Sequence, residues 1–574
     1  MECQPHATPH AFSLTREKVA AGRMRGAAAH ADARNAPPIA HSSCQHLAIQ
    51  EDDGVQRLVL RPRRNPAMTA VVRAALAEVD SRDMTWPRSV VSVPHSSMPP
   101  RLFTLLALAL LTGCATYEPQ PLAPEKSAAA YGARRLDAPD LRQFLEAQLG
   151  HELKGWPLKS PQPWTLETLT LAAYFHHPEL PVARARWQTA QAAELTAGAR
   201  PNPTLSASPT FNFDAASAVS PWKPVAKLDL PIETAGKRGL RLARAKQQTE
   251  AARQDFFTAG WNVRSGVGTA LEELHYSGLL SANAELRATL LKQQLDLVTQ
   301  RQLAGEAAPT EVTAARLAHE KAKLEHDLAC ERTETARARL AEAVGVRARE
   351  FQLLPLALNP WSPQLSAVEL AQLRDRALTG RPDLRSALAG YEAAQLALQL
   401  EVAKQYPDVR LGTGYEWDQG ASKWQLFSLA VELPVLNQNQ GPIAEARARR
   451  ELAAAHFNAL QAKAAADIDA AIANFQSARA RIFNKKPMFD AVTANESAAR
   501  ALLKDGEGTR LDVLRAQLER LDAQRLSAEV SHRHWLAVNA LEDALQQPLA
   551  RREGVTAPAP PDNLLPATAT SSKP

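Results

Sequence analysis

Apolar and polar positions along this chain alternate with two periods, and the switches between them set the expected architecture. Four short segments follow a period of two. In 205–213, Leu205, Ala207, Phe211 and Phe213 alternate with Ser206, Ser208, Thr210 and Asn212. In 409–417, Val409, Leu411, Tyr415 and Trp417 alternate with Arg410, Gly412, Gly414 and Glu416. Segments 226–230 and 425–433 behave alike, with Lys227 and Asp229, then Ser428, Ala430 and Glu432, on the polar side. The pattern predicts strands over about 204–213, 225–231, 408–417 and 424–433, each with one apolar and one polar face.

The remainder reads as helix. No proline interrupts 233–303, enough chain for a helix on the order of 100 Å. Segment 441–504 is comparable, with a kink expected at Pro487. Each is followed by a glycine-containing turn and a returning helix, roughly 309–344 and 509–546. Leu511, Leu514, Leu518 and Leu521 step by 3, 4 and 3, a coiled-coil seam. Helices of this length bury their faces only by packing lengthwise on one another.

Three blocks recur in one order at nearly one offset. "HPELPVARARWQTAQAA" at 177–193 matches "RPDLRSALAGYEAAQLA" at 381–397, placing Pro178, Leu180, Trp187 and Gln191 on Pro382, Leu384, Tyr391 and Gln395 with a shift of 204. "LDLPIETAGKRGLRLARA" at 228–245 matches "VELPVLNQNQGPIAEARA" at 431–448, shifted by 203. "AGEAAPTEVTAA" at 304–315 matches "DGEGTRLDVLRA" at 505–516, shifted by 201. Two repeats are expected, over 164–350 and 351–547.

Composition narrows the function. Across 574 residues the net charge is only +6 and the signs are interspersed, which argues against a nucleic-acid surface. No run of eighteen apolar residues occurs, so no transmembrane helix is predicted. The two-faced strands suit either a half-buried soluble sheet or a membrane barrel. Phe211, Phe213 and Trp222 flank one hairpin end and Tyr415, Trp417 and Trp424 the other, as an interfacial girdle does. Four strands cannot close a barrel, and an open sheet in lipid leaves its edges unsatisfied. Three chains supply the strands for closure.

The segment "RLFTLLALALLTGCATYEP" at 101–119 reads as a lipoprotein signal ending at Cys114. With translation from Met98, 98–113 is the signal peptide and 114–163 a lipidated tether with one helix near 137–151. Residues 1–97 are then expected to be a disordered extension from a misassigned start, and 548–574 a disordered tail. Acyl chains on Cys114 would anchor the mature chain. Cys3, Cys44, Cys114 and Cys330 describe neither a disulfide framework nor a metal site. His176, His177, His319, His326, His532 and His534 have no ligand-spaced partners, so no metal site is expected. Nor does any nucleophile elbow, P-loop or dinucleotide fingerprint appear, so neither enzyme activity nor a cofactor is expected.

The order helix, strand, strand, long helix, turn, helix, occurring twice, resembles the outer-membrane efflux proteins of the TolC type over about 164–547. "LPIETAGKRGLRLARA" and "LPVLNQNQGPIAEARARRE" are similar to the branch serving heavy-metal exporters, of the CzcC and CusC kind. The resemblance implies a mainly α fold of long antiparallel coiled-coil helices with four strands per chain. It further implies a homotrimer whose 12-stranded outer-membrane barrel continues into an α-helical periplasmic tunnel. Its partners would be outer-membrane lipid, a periplasmic adaptor and an inner-membrane RND-type pump of a Gram-negative cell. Heavy-metal cations are the implied substrate, drugs or secreted proteins the alternative, and a structural coiled-coil scaffold the reading outside transport. Gly305, Glu311 and Val312 match Gly506, Asp512 and Val513, and the resemblance makes these turns adaptor-docking tips. Glu306, Asp505 and Glu507 beside them would ring the entrance and attract cations. The alternative is a solvated face paired with Arg510 and Arg515.

Overall fold

The computed structural model describes residues 117–549, apart from 159–162, 216–218, 353, 358–362 and 419–420. Cys114, the signal segment, the N-terminal extension and nearly all of the C-terminal tail lie outside the described residues. Chain contacts divide at Pro121, and the account below concerns the unit beginning at Leu122.

Two helices, α1 (Pro124–Ala133) and α2 (Pro139–Leu149), precede the first repeat. Each has proline in its first turn, where the missing N–H costs nothing. The expected tether is docked from here on. Leu136, Leu141 and Leu145 are fully buried against α3 (Leu166–His176) in one core cluster. Arg134 fastens the segment by donating from Nη1 to the carbonyls of His176 (2.7 Å) and Gly345 (2.9 Å), two helix ends.

After α3 come α4 (Glu179–Gly198), the strands β1 (Thr204–Ala207), β2 (Thr210–Phe211), β3 (Trp222–Lys223) and β4 (Val225–Ile232), then α5 (Lys237–Leu303) and α6 (Pro309–Val344). The same order follows with α7 (Ala367–Gly380), α8 (Pro382–Ala403), β5 (Val409–Asp418), β6 (Ala421–Val431), α9 (Gln440–Lys504) and α10 (Arg510–Leu545). α9 passes through Pro487 without ending.

The long helices pack as antiparallel pairs, α5 with α6 and α9 with α10, and α10 also lies along α5. On α6 the buried residues Val312, Ala315, Ala322, Ala329, Ala336 and Leu340 trace a seam in which alanine returns every seventh position. His319, His326 and Thr333 complete its 3–4 spacing. Alanine brings two helix axes close, so this seam is held by fit along its whole length.

One sheet has the order β1-β4-β5-β6, antiparallel throughout, and β2 pairs with β3 beside it. Prolines explain the breaks. Pro209 separates β1 from β2 and Pro224 separates β3 from β4, because proline has no N–H for the ladder. The sheet holds across them, β1 to β4 through Ser208 N–H to Val225 O (2.8 Å) and β5 to Pro224 through Trp417 N–H to Pro224 O (3.1 Å). β6 begins three residues earlier than its alternation predicts. A bulge sets Leu426 and Phe427 opposite Thr413 alone, between the pairs Gly412–Ser428 and Gly414–Gln425. That extra residue keeps Trp424 and Leu429 on one face although they are an odd number of positions apart.

Candidate functional site

The sheet sorts its side chains by register. Leu205, Leu228, Leu230, Leu411, Leu429 and Val431 share one face with Tyr415 and Trp424. Leu228, Leu230, Leu426, Phe427 and Leu429 on β4 and β6 are exposed. Ser206, Lys227, Asp229, Arg410, Gly412, Glu416 and Ser428 share the opposite face. Gly412 gives room there, since a Cβ would lie 2.8 Å from Asp229 Oδ1 and would strike Ser428 Oγ. Aromatic rings cluster at the hairpin ends, with Phe211 5.1 Å from both Phe213 and Trp222, and Tyr415 4.8 Å from Trp424. Asp418 ties the hairpins together there, meeting Lys223 and Lys423 at 2.7 Å each.

The two strand-to-helix junctions are built alike. Gly236 (φ 68°) and Asn439 (φ 63°) turn the chain through left-handed conformation just before α5 and α9. Lys237, buried, donates to Tyr406 O (2.6 Å) and Asp408 Oδ1 (2.7 Å). Thr234 donates from its backbone to Asp408 (2.9 Å) and from its hydroxyl to Pro407 O (2.7 Å). Asn439 donates to the Glu401 carbonyl (2.7 Å), fastening α9 to the end of α8.

At the far ends of the long helices, Gly305 (φ 81°) and Gly506 (φ 79°) reverse the chain. Val312 and Val513 are buried behind these turns, while Leu303, Leu502 and Leu503 are exposed on them. Glu311 and Asp512 each stand third in their helix and accept from the backbone N–H of the residue before the helix, and with Thr509 the bond is returned to make a full capping box. Glu311 accepts from Ala308 N–H (3.2 Å), and Asp512 from Thr509 N–H (3.1 Å) and its hydroxyl (2.6 Å). Those Thr509 hydrogen bonds hold the Asp512 carboxyl below the usual range. Glu306, Asp505 and Glu507 lie exposed on the turns, with Arg301 3.9 Å from Glu306. Arg515 pairs with Asp512 at 3.4 Å.

Between α5, α9 and α10 lies a cavity of about 570 Å³ lined by Glu272, Tyr276, Phe489, Ser531, His532 and Trp535 among others. His532 stacks on Tyr276 at 4.1 Å and reaches Glu272 (3.3 Å) and Glu273 (3.6 Å) from opposite ring nitrogens. Burial pushes the Glu272 carboxyl up. Sequence spacing gave no sign of this cluster, because its members lie 260 positions apart on two helices. His176 is buried at the end of α3, where burial and then the charge of Arg134 push its imidazole down to about 4. His326 faces Cys330 at 3.6 Å, and His319 approaches Ala288 O at 3.3 Å. Among the described residues no group of three or more His, Cys, Asp or Glu is arranged to hold a metal ion. Among them, too, no helix is long and apolar enough to cross a membrane.

A two-faced sheet set on long paired helices is the architecture of an outer-membrane channel subunit, and comparison with known proteins agrees. A family model described as outer membrane efflux protein matches the chain twice, over 172–346 and 373–546. These matches cover more than half of the sequence, and the chain belongs to that family. It is 26% identical over 291 residues to the cobalt-zinc-cadmium resistance protein CzcC of Cupriavidus metallidurans. That alignment spans 50% of this chain and 66% of the relative. Crystal structures of CusC share the fold with a TM-score of 0.55 at 19% identity, over 66% of this chain and 91% of that one. VceC of Vibrio cholerae matches with a TM-score of 0.55 at 21% identity, over 67% of this chain and 97% of its own. The outer-membrane channel OprN gives 0.56 at 18%, over 76% and 100%. The family places the protein in the outer membrane.

Proposed function

We propose that this protein is the outer-membrane duct of a tripartite efflux system and passes heavy-metal cations out of the cell. The observation that carries the reading is the sheet, with an exposed apolar face, a charged opposite face and two unpaired edges. In lipid such a sheet is viable only when closed, and a homotrimer closes it as a twelve-stranded barrel. The apolar face then meets lipid, the face of Lys227, Asp229, Arg410 and Glu416 lines the pore, and the long helices continue it as a periplasmic tunnel. Cys114 carries the lipid anchor.

The turns at Gly305 and Gly506 are the end that meets a periplasmic adaptor, through exposed Leu303, Leu502 and Leu503 with Val312 and Val513 supporting them. Glu306, Asp505 and Glu507 form an acidic ring at the entrance, and the pump behind the adaptor is of the RND type. Heavy-metal cargo is supported by the relative's printed role in cobalt, zinc and cadmium resistance. Deleting the chromosomal copy and measuring growth on zinc, cobalt, cadmium, copper and hydrophobic drugs tests this. Sensitisation to the metals alone is expected; sensitisation to drugs alone overturns the metal assignment. A soluble monomer on fractionation overturns the duct.

A further inference from the structure

Where the two hairpins meet, α5 and α10 face each other with stripes of like period and unlike size. Glu272, Tyr276, Leu279, Asn283 and Leu286 follow on α5 at steps of 4, 3, 4 and 3. Gln524, Ala528, Ser531 and Trp535 follow on α10 at steps of 4, 3 and 4. This is the spacing of a closed coiled-coil seam, but the middle members on α10 are alanine and serine, too short to reach across. The cavity of about 570 Å³ is the groove they leave. Two contacts tie the helices across it. Glu272 Oε1 meets His532 Nδ1 at 3.3 Å, and Asn283 donates to Leu521 O at 2.9 Å. These α5 residues are eleven positions apart, about 16 Å of helix.

The groove is chemically one-sided. Glu272, only 2% exposed, shares its imidazole partner, because His532 also turns Nε2 to Glu273 at 3.6 Å. The second oxygen, Oε2, is buried and has no hydrogen-bond donor among the described residues. Burial pushes this carboxyl up, as desolvation does to a charge short of partners. Farther along α5 the lining is apolar, with Leu279 and Leu286 45% and 55% exposed and Phe489 contributed by α9. Tyr276 and Trp535 add ring surface, which attracts cations. His275 and Arg525 also line the groove, but both are exposed, and water and salt screen them more than they screen a buried carboxylate. An apolar cleft with one perturbed buried carboxylate is the usual form of a small-molecule site. A bare metal ion does not suit it, since among the described residues no three His, Cys, Asp or Glu are arranged to hold one. The positive charge has to arrive on an organic body.

We propose that this groove binds an elongated organic amine, with its ammonium on Glu272 and its apolar body lying along Leu279 toward Leu286. The ammonium supplies the donor that Oε2 lacks and the charge that the buried carboxylate needs. Placed this way, the ligand touches both hairpins and holds α5 against α10. The site is formed by the side chains of one chain, so it stands apart from the trimeric, cargo and partner readings above.

Three probes of one shape test it: phenylbutylamine, the neutral phenylbutanol and the anionic phenylbutyrate. Each is titrated calorimetrically into the native protein in detergent, with micelles alone as the blank. The amine is expected to bind saturably and to raise the unfolding temperature, the alcohol to bind about tenfold more weakly, and the acid not to bind. Glu272→Gln should weaken the amine about tenfold and leave the alcohol unchanged. Ala528→Phe fills the groove and should abolish binding of both. No saturable binding of the amine, or equal binding of amine and alcohol, overturns the proposal on the native protein alone, whether or not the variants fold. Amine affinity unchanged in Glu272→Gln, or kept in an Ala528→Phe protein that still unfolds cooperatively, overturns it as well.

Discussion

The two helical hairpins have nearly the same length and the same connection, yet they bury different side chains along their seams. α6 presents to α5 a seam of alanines and other residues whose buried members are all apolar. α9 and α10 bury ions. Glu496, only 3% exposed, sits between Arg500 (2.6 Å) and Arg520 (2.9 Å). Lys485 reaches Ser531 at 2.8 Å, and burial pushes its ammonium down. Pro487 removes a backbone donor close by. A seam closed by shape has one good arrangement, whereas a seam closed by paired charges gains little from burying them and answers to pH and salt.

The largest expected effects test the packing itself. Leu521→Ala removes a buried side chain from α10 and should cost about 2–5 kcal/mol. Ala329→Leu should cost about 1–3 kcal/mol by overfilling the α6 seam, and thermal unfolding in detergent reads both. An Ala329→Leu protein as stable as the native one would break the comparison, because a loose seam absorbs the added volume.

The turns differ less. Thr509 caps α10 with its side chain, whereas Ala308 in the same place has only the return bond from Glu311. Thr509→Ala should therefore loosen the second turn by about 1 kcal/mol, seen as faster amide exchange at the start of α10. Asp512 adds a pH term of known sign. Its folded value is lowered by the Thr509 hydrogen bonds, so its contribution is present above the usual carboxylate range. It is lost as pH falls through the lowered value. Exchange at the second turn should rise below about pH 4, and Asp512→Asn should flatten that rise.

The smallest effect lies where the hairpins meet. Burial raises Glu272, so the folded protein holds its proton to higher pH than the unfolded chain. Stability should decline as pH rises from the ordinary glutamate value to the raised one. Glu272→Gln should remove that decline while leaving stability at low pH unchanged, measured by unfolding from pH 4 to 8.

Much of this was legible because it rests on period. The helix predicted over 309–344 is the observed Pro309–Val344, since proline opens it and glycine closes it. The alternation of Val409 to Trp417 survives as β5 with one residue added. The rest depended on contacts far apart in sequence. The doublet Leu426–Phe427 marks a bulge only once β5 lies opposite it. Leu136, Leu141 and Leu145 lie among prolines and read as tether until α3 offers them a surface. The resemblance offers Glu311 and Asp512 as docking residues, and their carboxylates also cap their own helices, which only the folded turns disclose. The acidic residues on the turns that cap no helix are Glu306, which Arg301 approaches, with Asp505 and Glu507.

The two unpaired sheet edges have a genetic consequence. In a closed ring every subunit completes both of its neighbours, so a copy with one blocked edge spoils more than itself. On the proposed trimeric reading, such a copy expressed one-to-one with the native chain and mixed at random would leave only about one eighth of the assemblies wholly native. A proline placed in β6 should therefore act as a dominant allele, visible as metal sensitivity in a cell that still makes the normal protein.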